Sequence, residues 1–302
     1  MALPANGTPN FAFGCHSLTG GVPPMEKQDI SDVIREAFEH GIRIFDVSGD
    51  KNPSDCERLI KQELQGVKDA LVSTKWRLPV SLELTGNATS DLKAIAERSL
   101  TMSLRNLNGI QVQTLYVQPH SNPTIMDLLV ELFEKAKKSG HVLELGLLNA
   151  SPEKLSSKQK EYSIDVVKME ISLLRFFNRQ KYVLEIIDRG GRVHAANPLG
   201  RGVLARTPSS KHQVNDRSML RKLMTELNEI SKKHRVSPSR IALCWLHYLH
   251  RGIVPVLGTT NPSHLRQNLQ RSRLTLSNEE FTRLMNLAAA RSAAEAQGVL
   301  SE

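Results

Sequence analysis

Lys27-Gln-Asp-Ile-Ser-Asp-Val-Ile-Arg-Glu-Ala-Phe-Glu-His40-Gly41-Ile-Arg-Ile-Phe-Asp-Val47 is the stretch whose reading decides the architecture. Its apolar residues Ile30, Val33, Ile34, Ala37 and Phe38 recur at the spacing of one helical face. Gly41 follows as a C′ glycine, the residue that most readily takes the left-handed conformation closing a helix. Gly41–Val47 is then a short apolar run, read as a strand. A helix handed directly to a buried strand is half of a repeating β/α unit.

The rest of the chain repeats the pattern. Further strands are expected at Phe11–Cys15, Ala70–Lys75, Gln113–Gln118, Val142–Asn149, Ile164–Glu170, Arg192–Ala196 and Ile253–Gly258. Several are near-continuous in Val, Ile and Leu, as parallel strands covered on both faces are. Helical patterns lie at Asp55–Leu64, Leu92–Arg105, Ile125–Ser139, Gln180–Arg189, Asp216–Lys233 and Pro238–Leu249. Ser237 is the expected N-cap of the last of these. Ser277-Asn278-Glu279-Glu280 opens a final helix with a cap and an acidic first turn.

Eight strands alternating with helices specify an α/β barrel or a doubly wound sheet. Gly14, Gly20 and Gly21 do not form the glycine fingerprint of a dinucleotide-binding doubly wound sheet. The chain is therefore read as one (β/α)8 TIM barrel over residues 1–302, a length that suits such a barrel. Residues 206–215 are polar and expected to form a mobile loop, and residues 288–302 are expected to fray.

Composition narrows the function classes. The net charge of +9 is concentrated between Arg201 and Arg240, but no interleaved aromatics or recognition module accompany it, so no nucleic-acid partner is expected. No apolar run has the length of a membrane span, and Met1–Thr8 has neither the basic start nor the apolar core of a signal peptide. Cys15, Cys56 and Cys244 are odd in number and lack metal-ligand spacing, which is read as a reducing, cytoplasmic setting with no metal. Oligomeric state is not legible.

In a (β/α)8 barrel the pocket is built from the C-terminal ends of the strands. Those positions are Cys15 and His16, Asp46, Lys75, His120, Asn149, Lys168 and Glu170, and Asn197. An acid, two lysines and histidines converging at one mouth make a candidate proton-transfer site for a small molecule.

Six motifs in order carry a resemblance. They are Gly41-Ile-Arg-Ile-Phe-Asp46 with Glu57-Arg-Leu-Ile60, Ser73-Thr-Lys75-Trp76, Arg98-Ser-Leu100 with Ser103-Leu104, Gly146-Leu-Leu-Asn149, Pro198-Leu-Gly-Arg-Gly202, and Gly258-Thr-Thr-Asn-Pro-Ser-His-Leu-Arg-Gln-Asn268. Together they resemble the aldo-keto reductase superfamily over nearly the whole chain. The resemblance implies hydride transfer from NADPH to a carbonyl compound. It also implies a catalytic tyrosine tuned by a lysine–aspartate pair, and a histidine that orients the carbonyl. Asp46 and Lys75 match the aspartate and the lysine. The tyrosine position, five residues after Asp46, is Lys51. Leu115-Tyr-Val-Gln-Pro-His120 puts the histidine one residue late, a slip that reverses the face of a strand side chain unless a bulge restores it.

The resemblance assigns the cofactor's carboxamide to Asn149 and Lys168, where the family carries Asn and Gln, with Leu148 in place of a serine. Ala196 replaces the aromatic residue that stacks on the nicotinamide. The elements for phosphates and adenosine are better kept: Leu199, Gly200, Gly202, Leu204, Gly258, Thr259, His264 and Asn268. NADP(H) is thus a possible cofactor whose nicotinamide-end contacts are degraded.

Three readings remain open. The leading one is non-redox chemistry (dehydration, isomerisation or cyclisation) on a carbonyl-bearing metabolite of specialised biosynthesis. There, Lys51 and Lys75 crowd Asp46, and two cations in a partly buried site favour a neutral amine able to act as base or Schiff-base nucleophile. The second is an NADPH-dependent carbonyl reductase with a modified proton donor, and the third a non-catalytic NADP(H)-binding sensor or subunit. The plainer expectations are a buried Asp46–Lys75 ion pair, Lys51 in solvent, a Lys168–Glu170 pair on one strand face, and a structural Cys15.

Overall fold

The computed structural model describes residues 11–19, 25–49, 53–76, 88–120, 122–149, 164–206, 218–269 and 274–296. Its eight strands are β1 (Ala12–Gly14), β2 (Ile44–Asp46), β3 (Leu71–Lys75), β4 (Gln111–Val117), β5 (Val142–Leu148), β6 (Val166–Glu170), β7 (Arg192–Ala196) and β8 (Ile253–Leu257). Each pairs in parallel with its sequence neighbours, and β1 pairs with β8 to close the barrel.

Among the described residues the helices are α1 (His16–Thr19), α2 (Lys27–Glu39), α3 (Pro53–Glu63), α4 (Ala88–Asn106), α5 (Pro123–Lys138), α6 (Gln180–Asp188), α7 (Ser218–His234), α8 (Pro238–Leu249), α9 (Pro262–Leu269) and α10 (Asn278–Ala296). None is long and apolar enough to cross a membrane.

Local chemistry sets the boundaries. Gly41 has φ of 89°, its N–H donates to Phe38 O at 3.0 Å, and the N–H of Ile42 donates to Ala37 O at 3.0 Å. That pair of bonds is a Schellman closure of α2, and it turns the chain straight into β2. Ser237 caps α8 by accepting from the N–H of Arg240. Ser277 and Glu280 form a reciprocal capping box on α10. The N–H of Ser277 donates to Glu280 Oε2 at 2.8 Å, and that of Glu280 to Ser277 Oγ at 3.1 Å.

Strand alternation sorts the side chains. Phe13, Phe45, Val72, Leu115, Leu147, Val167, Val193 and Leu257 belong to the large cluster between strands and helices. Ala12, Ile44, Val254 and Val256, with Leu71, form a small apolar cluster inside the barrel. Further along, the inward positions Asp46 on β2, Lys75 on β3, Lys168 on β6 and His194 on β7 are polar, which places the site at the C-terminal end.

Two expectations change. Residues 262–269, read only as a cofactor loop, form α9. The fraying expected from residue 288 does not begin there: α10 runs to Ala296, held by the Arg291–Glu295 ion pair and by Arg291 Nη1 donating to Leu174 O at 2.9 Å. Residues 297–302 lie outside the described residues. So does the loop expected at 206–215, apart from Arg206.

Candidate active site at the barrel mouth

Asp46 ends β2 on the inward face, and the chain bends back on it. The N–H and the hydroxyl of Ser48 both donate to Asp46 Oδ1, at 2.9 and 2.7 Å. The other oxygen, Oδ2, lies 2.9 Å from Lys168 Nζ, which also donates to Ser48 Oγ at 2.9 Å. Carboxylate, hydroxyl and ammonium form a closed triangle. Burial alone would raise the Asp46 carboxyl, but the Lys168 charge and the hydrogen bonds from Ser48 and Lys168 outweigh it and hold it below the ordinary aspartate value.

This corrects two expectations. The ion pair of Asp46 comes from Lys168 on β6, not from the expected Lys75, and Lys168 does not pair with Glu170. Glu170 faces Arg201 at 3.8 Å. The reason is barrel closure. β2 and β6 lie on opposite sides of an eight-stranded barrel, where alternate strands supply one interior layer. The long lysine stem spans that layer. Lys75 ends β3 on the inward face, half-buried and in register with Tyr116.

Tyr116 and His194 lie beneath the triangle, both fully buried. Their side chains meet at 2.6 Å, phenol oxygen to Nδ1. Lys168 Nζ sits 5.7 Å from the centre of the Tyr116 ring, within cation–π range. Gly146 makes room for that ring: a Cβ there would stand 2.3 Å from Tyr116 Cδ1. Burial pushes the phenol up, and burial pulls His194 down to about 3, so both are neutral. His194 Nε2 has no hydrogen-bond partner among the described residues. Deeper still, Glu144 takes hydrogen bonds from Gln113, Thr114 and Arg192, closing the interior with a satisfied charge pair.

Sequence reasoning missed Ser48, Tyr116, Gly146 and His194. Alternation signals that Tyr116 and His194 face inward, but nothing local says that they meet.

His120 follows β4, half-buried, and its Nδ1 accepts the N–H of Asn122 at 3.0 Å. In the neutral ring the proton then sits on Nε2, making His120 a donor. Asn122 caps α5. Cys15 is fully buried, with its thiol pushed well up by burial first and by Cys56 second, while His16 is exposed. A thiolate–imidazole pair is absent there, as the structural reading of Cys15 expected. Lys51 lies outside the described residues.

The late loops stand at the same end. Asn149 is exposed with φ of 49°, and its N–H donates to Lys168 O at 2.8 Å. After β7, Asn197, Gly200, Arg201 and Gly202 all have positive φ. The turn is pinned by Gly200 N–H to Asn197 O and by Leu204 N–H to Leu199 O, with Leu204 buried. Gly258 leaves β8 against Gly14 O, and Thr259 Oγ1 accepts the N–H of Asn261, which in turn caps Ser263. His264 is exposed on α9. Asn268 is buried, its Oδ1 taken by Ser239 Oγ at 2.6 Å and its carbonyl by Arg240 Nη1 at 3.0 Å. No group of three metal-ligating side chains occurs among the described residues.

The model of the Aldo/keto reductase family matches residues 10–289. A probable aldo-keto reductase from Glycine max is 24% identical over 291 residues, covering 90% of this chain and 83% of that protein. Among solved structures, the glycerol dehydrogenase from Gluconobacter oxydans superposes with a TM-score of 0.78 at 16% identity, covering 96% of this chain and 95% of that one. An aldo-keto reductase from Klebsiella pneumoniae in complex with NADPH gives 0.74 at 17% identity, covering 93% and 91%. At these identities the structural likeness is one of fold.

Proposed function

Because the chain belongs to the aldo/keto reductase family, we propose that it acts on a small carbonyl compound at this mouth by proton-transfer chemistry, without hydride transfer. The observation that carries the reading is the Lys168–Asp46–Ser48 triangle.

NADP(H) is the cofactor such a barrel implies, and the residues fit it at one end only. The left-handed turn at Asn197–Gly202 and the capped loop after β8 suit phosphates, which bind where backbone N–H groups converge. The carboxamide end does not fit. Lys168 stands where the resemblance calls for a glutamine, and an ammonium has no lone pair to accept from a carboxamide N–H. Its positive charge also opposes the oxidised nicotinamide ring.

In our reading, Lys168 is the electrophile. Asp46 and Ser48 hold and aim its ammonium, so that it stabilises the negative charge that develops on a carbonyl oxygen when the adjacent carbon loses a proton. Lys51 keeps the role its sequence position suggests, an amine base that takes that proton. Return of the proton to a different carbon isomerises the substrate. Departure of a hydroxide from the neighbouring carbon, joined by that proton, releases water. Lys75 is the second amine on the inward face, and His120 a donor at the rim.

The test pairs two measurements on one panel of enolisable aldehydes and ketones. Deuterium exchange into the α-carbon is followed by NMR without nucleotide, and NADPH oxidation is followed by absorbance. Exchange that is lost in Lys168→Met and in Lys51→Ala, with no saturable NADPH binding at micromolar concentrations, is the expected result. NADPH oxidation with aldehydes and no exchange would overturn it. That outcome would establish the second reading, a carbonyl reductase, which the kept phosphate-side turns favour.

A further inference from the structure

The Lys168 ammonium reaches the mouth on a flexible four-carbon stem, and Asp46 Oδ2 and Ser48 Oγ each lie 2.9 Å from it. Both belong to β2 or the turn after it, so they draw the ammonium toward one side of the barrel. Attraction between charges fixes their separation better than the height at which the lysine crosses. A lysine held from one side can pivot about that side, up toward the opening or down into the interior.

Support from a different side comes from β4, where the centre of the Tyr116 ring lies 5.7 Å from Lys168 Nζ. The ring has little freedom of its own. Gly146, its register neighbour on β5, is so close that a Cβ there would stand 2.3 Å from Tyr116 Cδ1 and 2.5 Å from Cε1. At the far end of the ring the phenol oxygen meets His194 Nδ1 at 2.6 Å. His194 is the register neighbour of Lys168 on β7, so imidazole and lysine stem leave adjoining strands on the same face. Burial leaves that imidazole uncharged, and it adds no competing positive charge under the ammonium.

We infer that Tyr116 is a positioning residue of this site: the face of its ring, locked by Gly146 and by the bond to His194, carries the Lys168 ammonium at the level where it meets a carbonyl oxygen. Tyr116 is fully buried, whereas the Lys168 side chain keeps 11% of its surface. The ring therefore acts on an entering molecule only through the lysine. What Lys168 does to that molecule rests on the non-redox reading, but the support of Lys168 by the ring does not.

Two backgrounds separate the ring from its hydrogen bond. Tyr116→Phe/His194→Leu keeps the ring and removes both polar groups together, and Tyr116→Leu/His194→Leu removes the ring as well. The first measurement needs no activity: Lys168→Gln, which removes the charge, is added to each background in the full chain, and unfolding is followed in urea. Its effect on the unfolding constant should be at least about threefold larger with the ring present than without it, the range of a partly buried cation–π contact. Effects that simply add would overturn the inference. If the ringless background does not fold, Tyr116→Met, closer in volume, replaces Tyr116→Leu. The second measurement is exchange at the α-carbon. Loss of the ring should lower kcat by about tenfold or more with KM within about twofold, and the background that keeps the ring should recover most of that loss. Equal losses in both backgrounds, or a change confined to KM, would also overturn it. A wild type without exchange refutes only the non-redox reading, and the urea cycle then decides this inference alone.

Discussion

Lys168→Met is the perturbation that most directly tests the structure of the site. Methionine keeps the length of the stem and removes the charge, leaving the sealed carboxylate of Asp46 with only its two bonds from Ser48. Removing one partner of a buried ion pair costs about 3–5 kcal/mol at neutral pH. With an unfolding entropy of about 2 cal/mol/K per residue, that loss lowers Tm by roughly 5–8 °C in a chain of this size.

The pH dependence has a definite sign. In the wild type the carboxyl of Asp46 is depressed, so its contribution is present above the ordinary aspartate pKa and lost as pH falls through the depressed value. In the variant burial is the dominant influence left, and the carboxyl rises. The native state then takes up a proton on acidification, and the penalty shrinks. Thermal melts followed by circular dichroism from about pH 8 down to about pH 4 should show the gap between the two proteins narrowing steadily. Asp46→Asn/Lys168→Met should recover much of the loss, because replacing both partners is far less costly than stranding one. A gap that stays constant with pH, or a double variant no more stable than the single one, would refute the assignment of Lys168 as the partner of Asp46.

Gly146→Ala places a methyl group 2.3 Å from the Tyr116 ring, which is held by His194, so a loss of about 1–3 kcal/mol is expected in urea melts, partly restored by adding Tyr116→Leu. Glu280→Gln keeps the capping box, because the amide oxygen still accepts the N–H of Ser277, but it loses the charge pairing with Lys233 and His234, at about 1–2 kcal/mol near neutral pH. Because the Glu280 carboxyl is held down at about 2, that difference should be full above the ordinary glutamate pKa and vanish as pH falls through about 2, which melts across the acid range would show. Cys15, Cys56 and Cys244 are all buried, so a thiol reagent should label the native protein slowly and all three on unfolding. Rapid native labelling of Cys15 would contradict its structural, buried role.

What the chain reveals without its structure is local and periodic. The i, i+3, i+4 apolar face of α2, its closing Gly41, the Ser237 cap and the Ser277–Glu280 box each involve residues a few positions apart, so the boundaries they imply hold. The alternating strands and helices, together with the missing glycine fingerprint of a doubly wound sheet, pointed to the barrel, and position at strand ends was sufficient to name Asp46, Lys75 and Lys168 as neighbours of one mouth. The partner of Asp46 was not legible. Two residues apart on one strand, Lys168 and Glu170 share a face, and that local rule pointed to the wrong pair. Only closure of the sheet brings β6 opposite β2, sets which residues share an interior layer, and lets a lysine cross the barrel to an aspartate more than a hundred positions earlier. The meeting of Tyr116 with His194 over Gly146 has the same origin. Hydrogen bonds along a helix or turn are written in adjacent residues, whereas contacts across a barrel depend on strand register and closure, which belong to the whole fold.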